Sequence, residues 1–131
     1  MKIAIVLNED MGIGFAANAA ACIVSGLFHQ EKDLLGVQID GNDLSFIPIT
    51  KIPLMIFKQN SKSWDELLKR AKKNKLKYML FTKEAQSTTD YTEYINRVAN
   101  KRLEDVVPLG IGVLGEDSLV NRFSGDLPLL K

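Results

Sequence analysis

The chain has 131 residues, 46% of them hydrophobic and 25% charged, with a formal net charge of +1. This is the composition of one globular domain with a real core, and it excludes both a disordered chain and a globally basic nucleic-acid binder. A single cysteine, Cys22, and a single histidine, His29, exclude an internal disulfide framework and an intrachain Cys/His zinc site; a reducing cytoplasm suits them, and no metal or cofactor is expected.

In chain order, Lys2 and the apolar run Ile3 to Leu7 read as a strand, because the run is too short for a signal peptide and is broken by Asn8, Glu9 and Asp10. Gly12 and Gly14 follow, and residues 16–27 are predicted to form a helix of small side chains packed on the sheet. Residues 11–28 carry no charge, but their Ala, Gly, Asn18 and Ser25 content favours a buried helix over a membrane span. Residues 31–42 read as polar and turn-rich, and 44–49 and 53–57 as extended pieces whose prolines suit sheet edges or strand starts. Ser63 with Glu66, and Asp90 with Glu93, are capping-box pairs ahead of helices at 64–74 and from Tyr91 to about Val98. Between them 76–82 has strand character. The continuous apolar run 106–114, with Gly110 and Gly112, predicts a strand buried on both faces. A short helix at 116–123 and an apolar tail at 127–130 complete the chain. Strands alternating with helices predict a single three-layer α/β/α domain around a mixed, mostly four-stranded sheet, with 2–7 and 107–114 as its central strands.

The segment Met11-Gly12-Ile13-Gly14-Phe15-Ala16-Ala17-Asn18, together with Leu109-Gly110-Ile111-Gly112 and Phe123-Ser124-Gly125-Asp126-Leu127, resembles the archaeal/eukaryotic-type peptidyl-tRNA hydrolases. That family has a Met-Gly-x-Gly-Lys loop, an Ala-Ala-Gln helix and a C-terminal Gly-Ile-Gly strand. A sister group of uncharacterised bacterial proteins, with Asn in place of the Gln, is similar still more closely. The resemblance implies the peptidyl-tRNA hydrolase II-like fold, a small-molecule or tRNA-derived ligand, and a homo-oligomer. It implies no membrane or DNA partner. The chain departs from the hydrolases at the loop lysine, where Phe15 stands, at a helix histidine replaced by Ala21, and at an aspartate whose place Glu84 takes.

On this reading the catalytic candidates are Asn18 and Glu84, and the ligand-binding candidates are Glu9, Asp10, Gly12, Gly14 and Phe15. The last group surrounds a helix start whose free backbone N–H groups attract anions. Asn18 lies one turn on from Gly14, where its amide either serves the site or ties the helix to a loop. Gly12 to Ala17 also fits a Gly-x-Gly-x-x-Ala dinucleotide pattern, but residues 8–11 separate it from the strand and no acidic second strand follows at the usual spacing. Eight cations between Lys58 and Lys77 read as a solvated helix face, its acids at the N-terminus and bases at the C-terminus, rather than an RNA grip. His29 is assigned to the end of the first helix. Cys22, on the stripe of Asn18, is expected to be a buried, inert thiol.

Overall fold

The computed structural model describes residues 1–131. Strands β1 (Lys2–Leu7), β4 (Leu54–Lys58), β5 (Lys77–Thr82) and β6 (Pro108–Gly115) form one mixed sheet in the order β4-β1-β6-β5. β4 runs parallel to β1, and β6 runs antiparallel to both β1 and β5. The two strands richest in consecutive apolar residues thus take the two central places, where both faces are covered. Short strands β2 (Ile39–Asp40) and β3 (Ser45–Phe46) pair only with each other. Residues 44–49, read from sequence as extended, therefore contribute to a separate hairpin rather than to the sheet.

Five α-helices accompany the sheet: α1 (Ile13–Leu27), α2 (Trp64–Lys73), α3 (Lys83–Gln86), α4 (Tyr91–Val98) and α5 (Asp117–Ser124). On one face Ile3, Ile5 and Leu7 of β1 pack with Ala19, Ile23 and Leu27 of α1. On the other, Ala4 and Val6 pack with Leu67 and Ala71 of α2 and with Val120 and Phe123 of α5. The alternation of β1 feeds both layers at once, as a period-2 strand must.

The close seating of α1 differs in origin from the expectation. Its buried stripe includes Ile23 and Leu27, and the small residues that admit them are in the sheet. A Cβ on Gly112 would collide with Ile23 and stand 3.0 Å from Leu27, and one on Gly110 would stand 2.7 Å from Leu7 and 3.1 Å from Ile23. Several of the small residues of α1, Gly14, Ala17, Ala21 and Ser25 among them, face outward instead. No helix is long and apolar enough to cross a membrane.

Local signals set the boundaries. Asn8 Oδ1 accepts the Asp10 N–H at 2.9 Å, turning the chain after β1, and extended Gly12 starts α1 one turn earlier than the alanine run indicates. Ser63 Oγ accepts the Glu66 N–H at 3.1 Å, and Asp90 Oδ1 accepts the N–H groups of Thr92 and Glu93. Both caps are one-sided, because Glu66 and Glu93 pair instead with Arg70 and Arg97 one turn on. The four-residue helix α3 carries no periodic signal; Thr82 Oγ1 caps it through the Ala85 N–H. The C-terminal tail docks on the β4 edge, where Leu129 bridges Phe57, Pro128 accepts the Lys58 N–H and Leu130 donates to Ile56. This covers a strand edge that would otherwise stand open.

Arg70 fastens the tail from the other side. Its guanidinium grips Asp126 in a bidentate pair at 2.8 and 3.0 Å and also donates to the Phe123 carbonyl at 3.0 Å. Hydrogen bonding to Arg70, helped by Lys62, holds the Asp126 carboxyl down to about 2.

Two predictions follow from this packing. Gly112→Ala is expected to cost about 1–3 kcal/mol through overpacking against Ile23, whereas Gly14→Ala, whose Cβ meets nothing within 4 Å, gains roughly 0.5 kcal/mol of helix stability; urea unfolding of both variants checks the contrast. The Asp126 pair has a folded pKa below its unfolded value, so its stabilisation is present above about pH 4 and is lost as the pH falls towards 2. The stability gap between wild type and Asp126→Asn should therefore close across that window, measured by denaturation at a series of pH values.

Candidate functional site

The outward face of α1 is not left bare. A cleft of about 400 Å³ lies between that face, β5 and the α3–α4 segment. Asn18, Cys22 and Ser25 form one wall; Met79 and Phe81 form the floor; Gln86, Thr88, Asp90, Tyr91 and Tyr94 face them across the gap. Small side chains on α1 hold this space open. Its size and mostly apolar lining are those of a small-molecule site.

Three ties fix the α3–α4 wall. Arg97 donates to the Glu84 carbonyl at 3.1 Å and to Ser87 Oγ at 2.9 Å, binding α4 to α3. The Glu84 carboxylate accepts the Val107 N–H at 2.8 and 3.2 Å, binding α3 to the start of β6. Gln86 Nε2 reaches across to α1, donating to the Phe15 carbonyl at 3.0 Å and to Asn18 Oδ1 at 3.3 Å. This last tie leaves Asn18 Nδ2 and Gln86 Oε1, a donor and an acceptor on two residues that line the cleft, without protein partners.

The cleft's electrostatics are one-sided. None of its lining residues is Lys, Arg or His, and its one carboxylate, Asp90, caps α4. Burial raises the pKa of the Tyr94 hydroxyl, with Tyr91 and Cys22 adding to the effect, so the phenol stays a neutral donor. Tyr91 and Tyr94 meet edge to face with ring centroids 5.5 Å apart.

Of the candidates read from sequence, only Asn18 lines this cleft. Glu84 does not; its carboxylate is engaged by Val107. Gly12, Gly14 and Phe15 lie at and within the first turn of α1 rather than in a loop, and Phe15 is 60% exposed. Glu9 Oε2 accepts the Asn60 N–H at 3.3 Å, and Asp10 points to solvent. Cys22, expected to be buried, is exposed to the cleft, because the helix turns its larger residues, Ile23 and Leu27, to the sheet. His29 lies just past the end of α1, where its carbonyl accepts the Lys77 ammonium at 2.6 Å. On α2, Lys69 pairs with Asp65 one turn back, and Arg70 is drawn to Asp126 and Glu66. No group of three or more His, Cys, Asp or Glu residues is placed to hold a metal ion. Gln86, Tyr91 and Tyr94 were not singled out as site residues from the sequence; the aromatic spacing of Tyr91 and Tyr94 reads there only as a helix stripe.

Comparison with known proteins adds a family and a fold. No curated protein matches the chain. A solved structure of Atu0240, a protein of unknown function from Agrobacterium tumefaciens strain C58, superposes with a TM-score of 0.86 at 17% identity, covering 98% of this chain and 96% of that one. At that identity the likeness shows the fold alone. The motif resemblance to the peptidyl-tRNA hydrolases is carried by neither match. The family model described as protein of unknown function (DUF2000) matches residues 1–131, and the chain belongs to that family.

Proposed function

We propose that this protein binds a small, uncharged, partly apolar molecule in the α1/α3–α4 cleft and recognises it through an amide-like group. The observation that carries this reading is the free donor–acceptor pair, Asn18 Nδ2 and Gln86 Oε1, on two residues that line a cleft with an apolar floor and no cation. A planar group offering one carbonyl and one N–H, such as a carboxamide, lactam or nucleobase edge, satisfies both atoms at once. The ring of Tyr94 and the side chains of Met79 and Phe81 then cover its apolar body. An anion fits this cleft poorly, since Asp90 repels it and nothing there neutralises it. The helix-start site of Glu9, Asp10, Gly12, Gly14 and Phe15 keeps an anion-attracting set of N–H groups, but it sets two carboxylates beside them.

The activity implied by the motif resemblance is cleavage of the ester between peptide and tRNA, with Asn18 orienting the water or the oxyanion. It requires a cation for the phosphate-rich 3′ end, and the cleft lining supplies none. Binding without chemistry is therefore the reading adopted.

Thermal-shift screening of small amides, lactams and nucleobases tests it. A stabilising ligand recovered intact is expected, and Asn18→Leu or Gln86→Leu should weaken it at least about tenfold by leaving a polar group of the bound ligand without its partner. Glu84→Ala should lower stability by about 1 kcal/mol and, by loosening the wall that Glu84 ties to β6, weaken the ligand response less than either of these substitutions does. Turnover of peptidyl-tRNA above a buffer blank, abolished by Asn18→Leu, would establish the hydrolase reading instead.

A further inference from the structure

Residues 37–49, which carry the β2–β3 hairpin, are all exposed. This arm rises from a base where Leu35 bridges Thr50, and turns tightly at Gly41, whose N–H donates to the Leu44 carbonyl at 2.8 Å. Its residues alternate. Ile39 stands opposite Phe46, and Val37 and Leu44, each two residues from one of that pair, share their face. The opposite face is polar, with Asp40 Oδ1 accepting from Gln38 and Ser45. Val37, Ile39, Leu44 and Phe46 are 54–78% exposed, and Ile47 and Ile49, at 78% and 70%, are exposed between Phe46 and the base.

A two-stranded ribbon is at best marginally stable in water unless something covers its apolar face. Nothing in the chain does so. Val37, Ile39, Leu44 and Phe46, all exposed on one face, form a contiguous apolar patch of the size, roughly 300–600 Å², that on a monomer marks an interaction site.

The arm's charges choose the occupant. Between residues 36 and 50 there is no Lys or Arg, and the tip carries Asp40 and Asp43, a pattern that repels an anionic lipid surface or a nucleic acid. At the base, Lys32 and Lys51 are exposed without ion-pair partners, beside a single exposed acid, Asp33. Tip and base are therefore of opposite sign. Two arms laid face to face and antiparallel about a two-fold axis bring the acidic tip of each copy to the basic base of the other, while keeping the two tips apart. We propose that this arm is the dimerisation element of the protein, pairing with the same arm of a second copy through Val37, Ile39, Leu44 and Phe46, with Asp40 and Asp43 facing Lys51 and Lys32 of the second copy. The contact is isologous, as a two-fold interface requires.

Sedimentation velocity and light scattering on the full chain across roughly 1 to 100 µM test it. The wild type is expected to be a dimer, and Phe46→Asp to raise the dissociation constant about thirtyfold or more, as loss of a central apolar anchor does. Asp43→Lys and Lys51→Asp should each weaken the dimer, and the double variant should recover it; recovery cannot come from misfolding. A wild type that stays monomeric throughout, a monomer that binds lipid vesicles through the arm, or a dimer untouched by Phe46→Asp would overturn the proposal. Charge variants whose effects simply add would overturn the antiparallel register.

Discussion

The seat of α1 on Gly110 and Gly112 is the constraint from which the rest of the architecture follows. Because β6 presents no side chain there, Ile23 and Leu27 reach the sheet, and the helix is oriented with its large residues inward. Its small residues then face away from the core, and the space they leave becomes one wall of a cleft. A helix of the same length with its alanines inward would have buried Asn18 and Cys22 or turned them to a different neighbour. The α1 wall of the cleft is thus a by-product of core packing, and that wall is rigid for the same reason, since close-packed interiors do not deform continuously.

The opposite wall depends on polar ties rather than burial. α3 and α4 contribute no fully buried residue, and they are held by Arg97, Glu84 and Gln86. Each of these side chains spans two elements. Gln86 alone crosses the cleft, so it both ties the two walls and offers its remaining acceptor to whatever enters. A wall fixed by a few hydrogen bonds opens at lower free energy than one fixed by a core, which suits an element that admits a ligand.

Much of this was legible from the sequence where hydrophobic patterning is strong. The central positions of β1 and β6, the helices after Ser63 and Asp90, and the docking tail follow from continuous apolar runs and caps. What patterning does not encode is which way a helix of mixed small and large residues turns. For α1 the decision lies with two glycines almost a hundred residues away, and so Cys22 reads as buried when it is exposed. Asn18 was visible as a lone amide in an alanine helix, but its partner Gln86 sits in a single turn without periodicity and meets it only through the fold. Glu84 was visible as a carboxylate near a strand end; that it serves the Val107 N–H is a tertiary fact. The β2–β3 arm was hidden because a hairpin with no cover in its own chain breaks the rule that strands join the sheet.

On the proposed reading, ligand binding belongs to the α1/α3–α4 cleft and not to the start of α1. Backbone NMR of the full chain titrated with a mixture of small amides and lactams tests this most directly. Shift changes clustered at Asn18, Cys22, Gln86 and Tyr94, with residues 9–15 unmoved, are the predicted result. Changes confined to residues 9–15, or a response only to phosphate and other anions, would contradict it.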